Sequence, residues 1–203
     1  MRKSLSPLAI TAASGVALAF PIAAFAQAAN PVAVLAGHVT DWALLLAFAG
    51  AALATMLPCL GSILGVSMVG QAGSGLLTEK PELAGKVITL AVLPGSQGLY
   101  GMVISLLFIF TYTPLITEKV SVSPLQGIIL FAAFLPVMFT CLTSALYQAK
   151  VCCSGMHMLA KDGRLAGRVI TLAALVETYA LLGFLISFFM LNALKVAILG
   201  AAA

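Results

Sequence analysis

Glu177 is the one acidic residue of this sequence that falls inside a long apolar run; Asp41, Glu79, Glu82, Glu118 and Asp162 all sit at the ends of such runs or between them. It lies eight residues beyond Val169, where its run begins, or roughly 12 Å along a helix. An ionisable group at that depth in a bilayer costs about 3 kcal/mol or more and commonly marks an ion or proton path. The plainer alternative is a protonated carboxyl that only joins helices through a hydrogen bond.

Spacing gives this carboxyl polar company. If the chain turns near Gly163, Gln148 stands 15 residues before the turn and Glu177 stands 14 after it, so antiparallel helices bring both to one height. A turn near Pro81 places Ser96 and Gln97 at that height as well, within Pro94-Gly95-Ser96-Gln97-Gly98. Pro94 removes a backbone donor and clashes with the carbonyl of Leu90, and the flanking glycines admit another helix closely. A carboxylate, two amide oxygens, a hydroxyl and a freed carbonyl make an all-oxygen set suited to a hard cation. Tyr100, one turn beyond Ser96, can donate its hydroxyl to the carboxylate. Each residue also has a plainer use: a Gln bonding a neighbouring helix, a Ser bonding its own, a Pro kink, a core Tyr. Lys150 is either a counter-ion of Glu177 or, as preferred here, points to the cytoplasm from a helix that projects beyond the bilayer. His38 and His157 are expected in solvent, and Phe184, Phe188 and Phe189 are expected to be lipid-facing bulk.

The elements that must hold these residues follow from composition. Of 203 residues 62% are hydrophobic and 8% charged, with a mean hydropathy of +1.15. A soluble domain carries about 25% charged residues, so a soluble enzyme is excluded and most of the surface must face lipid. The net charge of +4 comes from basic residues scattered among short connections, which argues against a nucleic-acid partner. Cys59, Cys141, Cys152 and Cys153 lack the spacing of a metal or disulfide framework.

Four apolar runs, 42–69, 87–113, 125–148 and 169–191, can each cross the membrane as a helix. Met1-Arg2-Lys3, an apolar stretch and Ala24-Phe25-Ala26 predict a signal peptide over 1–26, with retention as a fifth helix as the alternative. An outer segment, 27–41, is then followed by two transmembrane hairpins, 42–113 and 125–203. Lys80 and Lys86 lie in the first connection, and Lys161, Arg164 and Arg168 in the third, whereas the second holds Lys119 alone. The positive-inside rule therefore puts both hairpin tips in the cytoplasm, and the membrane expected is the cell's inner membrane. The fold class is all-α: a four-helix, two-hairpin membrane protein.

The hairpins are copies. At an offset of 82 residues, 83–107 matches 165–189 at 13 of 25 positions, including Leu-Ala-Gly-Lys/Arg-Val-Ile-Thr-Leu-Ala, where shared composition would give about a fifth. Both copies enter the membrane from one side, which makes the duplication parallel. Glu177 falls opposite Gly95, so one ion site per chain is expected. Gly61 and Gly65 have GxxxG spacing, which suggests close packing of the first helix against copies of itself, or else within its own chain.

Three stretches resemble the proteolipid, or subunit K, of V-type ATPases: Leu93-Pro94-Gly95-Ser96-Gln97-Gly98-Leu99-Tyr100-Gly101, Tyr147-Gln148-Ala149-Lys150, and the nine residues from Val176 to Phe184, Val-Glu-Thr-Tyr-Ala-Leu-Leu-Gly-Phe. The similarity covers about 44–193. It implies a homo-oligomeric membrane ring that turns against a stator membrane subunit and joins a central-stalk subunit, while ATP is hydrolysed elsewhere in the complex. The chain would then be a transport subunit without catalytic residues or a cofactor. The resemblance makes Glu177 the ion carrier. For Na+ it assigns as ligands the Leu93 carbonyl, Ser96, Gln97 and Gln148, with Tyr100 bonding the carboxylate; the family's Thr is Ser96 here. Retention of both amides and a hydroxyl favours Na+ over H+, since a proton carrier needs only the carboxyl and one acceptor. A non-transporting structural proteolipid is the competing class. A small-solute channel is disfavoured because no ring of pore-lining polar residues recurs along the runs.

Overall fold

A computed structural model describes residues 42–117 and 122–199. The expected signal peptide, the outer segment, His38 and Lys119 lie outside the described residues. Helix α1 spans Trp42–Glu79, α2 Ala84–Val92, α3 Ser96–Thr117, α4 Pro124–Lys161 and α5 Ala166–Leu199. Single 3-10 turns, Pro81–Leu83, Leu93–Gly95 and Gly163–Leu165, join α1 to α2, α2 to α3 and α4 to α5. Four stretches are long and apolar enough to cross a membrane: Trp42–Glu79, Pro81–Thr113, Pro124–Lys161 and Gly163–Ile198. The protein is a multi-pass, all-α membrane protein of two hairpins.

Local chemistry sets the boundaries. Pro81 cannot continue the hydrogen bonding of α1 but suits the first position of a new turn. α4 opens with a capping box: Ser123 Oγ accepts from the Gln126 N–H at 3.3 Å, Gln126 Oε1 accepts from the Ser123 N–H at 2.8 Å, and Pro124 follows. At the second tip Asp162 accepts from the Arg164 N–H at 2.9 Å and pairs with its guanidinium at 3.1 Å, which holds the carboxyl below its ordinary value.

Helices α1 and α4 run well past their apolar stretches. At 38 residues each they are about 57 Å long against roughly 30 Å of hydrocarbon. In α1 the polar continuation stays helical while its side chains bond locally, Gln71 to Ser67 at 3.1 Å and Ser74 to the Gly70 carbonyl at 2.8 Å.

The hairpins pack chiefly through α1 against α4. Small residues on α1 allow it: a Cβ placed on Gly61 would stand 2.8 Å from the Leu142 carbonyl oxygen, and one on Gly65 would stand 2.8 Å from Pro94 and 3.1 Å from the Ala145 carbonyl oxygen. The GxxxG pair thus packs within its own chain, not against copies of itself. The tips lie side by side, since Lys80 Nζ donates to the Ala160 carbonyl and Gly163 sits against Leu83 and Lys86. That is the parallel arrangement the duplication requires. Large apolar side chains cover the outside of α5, among them Leu172, Leu175, Leu182 and Phe189.

Candidate ion-binding site

Every residue singled out by height meets at one level between α3, α4 and α5. The helix is interrupted at Leu93–Gly95 because Pro94 has no N–H to give, and the Ser96 N–H closes a tighter turn on the Leu93 carbonyl. The Gly98 N–H donates to Ser62 Oγ of α1 at 2.9 Å. Ser96, Gln97 and Tyr100 follow this break and meet the second hairpin.

Glu177 is half-buried and receives donors on both oxygens. Tyr100 donates its hydroxyl to Oε1 at 2.6 Å. Ser96 Oγ stands 2.7 Å from the same oxygen and 3.0 Å from the Leu93 carbonyl oxygen, so its single proton serves one of them at a time. Gln148 Nε2 reaches Oε2 at 3.4 Å and donates more closely to the Ala173 carbonyl at 3.1 Å. Behind it Gln97 Nε2 donates to Gln148 Oε1 at 2.6 Å. Both glutamines are fully buried.

One acceptor is left over. Gln97 Oε1 is buried without a hydrogen-bond partner, alone in this respect among the buried side-chain oxygens and nitrogens of the described residues. Such an atom forfeits about 1–3 kcal/mol unless something positive meets it. Every candidate ligand atom here is oxygen, the donor set a hard cation takes.

Lys150 is not part of this cluster. Among the described residues the one ion pair joins Arg164 to Asp162, and the Lys150 ammonium lies over the exposed Tyr147 ring at 4.5 Å. His157 is exposed and Phe189 faces outward, as expected. Phe184 and Phe188 differ from expectation: both are half-buried, and Phe184 packs on Tyr100 with ring centroids 5.8 Å apart. Sequence reasoning missed three supports. Ser62 had a weak signal as a polar residue in a small-residue run, whereas the Ala173 carbonyl and the Phe184 contact had none.

Comparison with known proteins bears on the same residues. The sequence profile of the ATP synthase C subunit matches twice, at 49–108 and 131–190. The V-type sodium ATPase subunit K of Enterococcus hirae is 44% identical over 70% of this chain and 88% of its own length. The A-type ATP synthase subunit K of Methanocaldococcus jannaschii is 33% identical over 73% of this chain and 62% of its own length. A V-type proton ATPase subunit of Candida glabrata is 31% identical over 69% of this chain and 83% of its own length.

Proposed function

The chain belongs to the ATP synthase C-subunit family as a duplicated rotor proteolipid of V-type ATPases, and on that premise we propose that Glu177 carries Na+ through the membrane as the ring turns. The observation that carries the choice of ion is the orphaned Gln97 Oε1. A proton needs one carboxyl oxygen, whereas a sodium ion needs several oxygens around it, and a buried amide oxygen without a partner is what such a ligand leaves among the hydrogen bonds. The name of the Enterococcus hirae relative, a sodium ATPase subunit, supports the same ion.

Electrostatics then gives the mechanism. A bare carboxylate cannot cheaply face lipid, so Glu177 travels past the bilayer only when a cation neutralises it. Tyr100, Ser96 and Gln148 direct donors at its oxygens, which matches the ionised acceptor form. Gln97, Gln148, Ser96 and the Leu93 carbonyl supply the remaining oxygens to the ion. A cationic side chain of the stator membrane subunit would displace Na+ into an aqueous half-channel, so rotation depends on occupancy. ATP hydrolysis elsewhere in the complex drives the ring through a central-stalk subunit seated on the hairpin tips. Those tips, with Lys80, Lys86, Lys161, Arg164 and Arg168, face the cytoplasm from the inner cell membrane.

The second reading is H+ on the same carboxyl. It draws on Oε2, whose one hydrogen bond among the described residues is the long one of 3.4 Å from Gln148, leaving that oxygen open to a proton. Labelling of Glu177 by dicyclohexylcarbodiimide in membranes separates the two. NaCl at fixed pH is expected to suppress labelling; a response to pH alone would replace Na+ by H+, and no labelling at all would reduce Glu177 to interhelical glue.

A further inference from the structure

Helices α1 and α4, the first of each copy, share a short pattern at the offset of 82 residues: Cys59-Leu60-Gly61-Ser62 and Cys141-Leu142-Thr143-Ser144. Two of the chain's four cysteines fall in it, whereas Cys152 and Cys153 stand opposite Gly70 and Gln71 and are not repeated. In both copies the pattern turns its polar side chains toward the next helix, the one that carries Gln97 or Glu177. Ser144 Oγ of α4 donates to the Val176 carbonyl of α5 at 2.9 Å, and the Cys141 thiol reaches the Ala180 carbonyl at 3.9 Å. Ser62 Oγ of α1 accepts the Gly98 N–H of α3 at 2.9 Å, and the Cys59 thiol reaches the Gly98 carbonyl at 3.9 Å. Both serines are buried. A Cβ on Gly98 would stand 3.3 Å from Cys59 Sγ and 3.3 Å from Ser62 Oγ, so a bare glycine backbone gives both side chains room to reach it.

Each serine holds a peptide group that adjoins a residue of the ion site. The Val176 carbonyl belongs to the peptide group whose N–H is that of Glu177, and the Gly98 N–H belongs to the one whose carbonyl is that of Gln97. A peptide group is rigid and planar, so a bond to one of its atoms fixes the depth and rotation of the Cα beside it. In the second copy the hold extends over successive turns, because Gln148 donates to the Ala173 carbonyl before Glu177 and Cys141 reaches Ala180 after it. Such bonds answer a need particular to these helices. A helix that is apolar on every side has no hydrophobic stripe to set its rotation, yet a binding constellation must be held to within about 0.5 Å.

We infer that Ser62 and Ser144 are positioning residues of the ion site, Ser62 acting through Gln97 and Ser144 through Glu177. The inference rests on the reading of Glu177 as an ion carrier and adds two residues that set the geometry of the site from behind, without touching the ion. The polarity of the two bonds differs, since one serine accepts and the other donates, but the repeated position serves the same end in both copies.

A control on the same helix pair separates positioning from simple helix adhesion. Ser187 is buried, accepts the Val137 N–H at 3.1 Å, and lies ten residues beyond Glu177, roughly 15 Å along α5. The readout is the NaCl concentration that half-protects Glu177 from dicyclohexylcarbodiimide at fixed pH in native membranes, with the thermal midpoint of the detergent-solubilised protein measured alongside. Ser62→Ala and Ser144→Ala are each expected to raise that concentration at least about threefold. Ser144→Thr, which keeps the hydroxyl, should restore it, and Ser187→Ala should lower the midpoint while leaving protection unchanged. Ser62→Ala added to Gln97→Leu should raise the concentration no further; a second rise of the same size would overturn the route through Gln97. Unchanged protection in either alanine variant would overturn the role of that serine, and an equal rise in Ser187→Ala would reduce both to glue between helices. Failure of the sodium reading looks different, because the unsubstituted chain would then show labelling that follows pH alone. Ser144→Ala must in that case move the pH of half-labelling while Ser187→Ala does not, and a pH that neither variant moves would overturn the positioning role too. No labelling of the unsubstituted chain would overturn the ion site and the positioning role together.

Discussion

The first and second hairpins descend from one sequence, yet they part at a single level of the membrane. In the first copy Pro94-Gly95-Ser96-Gln97 breaks the helix into α2 and α3. In the second, Val176-Glu177-Thr178-Tyr179 passes through α5 without a break over its 34 residues. One copy keeps the kink, the hydroxyl and the amide; the other keeps the charge on a rigid rod. A carboxylate needs a partner at fixed distance when it is desolvated, and an opened backbone is a poor mount for a charge but a good source of oxygen ligands. Division between the copies satisfies both demands at one interface.

The largest effect is expected where the copies differ most. Glu177→Gln makes the second copy as neutral as Gly95 makes the first, and it should abolish ion transport and coupled ATP hydrolysis while the ring still runs intact on a native gel. Full transport in that variant would sink the site. Next comes Gln97→Leu, which removes the orphaned acceptor and the 2.6 Å bond to Gln148. The Na+ concentration that protects Glu177 from carbodiimide should rise about tenfold or more, about 1.4 kcal/mol; unchanged protection would take Gln97 out of the ligand set.

Where the copies agree, they should fail alike. A Cβ on Gly101 would stand 2.7 Å from Pro58 Cγ, and one on its counterpart Gly183 would stand 2.7 Å from Thr140 Cβ. Overpacking costs about 1–3 kcal/mol, so Gly101→Ala and Gly183→Ala should each lower the thermal midpoint of the detergent-solubilised protein. A drop in only one would show that the two helix contacts are not equivalent.

The smallest effect is expected at the tips, where Asp162 stands opposite Lys80. Asp162 has its carboxyl held below the ordinary 3.8 by Arg164. A lowered carboxyl stabilises the fold above its unfolded value and stops doing so as pH falls through its folded value. The protection factor of the Arg164 amide, which donates to Asp162, should therefore hold its neutral-pH level down to the ordinary carboxyl value of 3.8 and fall below it as Asp162 is protonated. Asp162→Asn should remove that pH response and leave the first tip, held by Lys80 on the Ala160 carbonyl, unaffected.

Much of the site was legible because helices convert counting into height. Fifteen residues before a turn and fourteen after it put Gln148 and Glu177 at one level, and they meet there. Other features defeat counting. The GxxxG spacing of α1 left open a copy or its own chain, because spacing does not say which neighbour fills a small-residue groove; Ala145 and Pro94 of the same chain fill it. The first apolar run ends at Val69 whereas α1 continues to Glu79, because hydropathy marks where lipid ends, not where hydrogen bonding ends.

The sequence by itself determined that this is a membrane protein of two parallel copies, that Glu177 is the one buried-depth carboxyl, and that amides and hydroxyls share its level. These are properties of composition and of 1.5 Å steps along a helix, and neither depends on neighbours. The tertiary structure alone decided which donor meets which oxygen: Tyr100 and Ser96 on Oε1, Gln148 divided between Oε2 and the Ala173 carbonyl, and Gln97 Oε1 left without a partner. Those assignments turn on rotation of each helix about its axis and on fractions of an ångström. Packing fixes both, because apolar helices that are hydrophobic on every side carry no amphipathic stripe to announce which face turns inward.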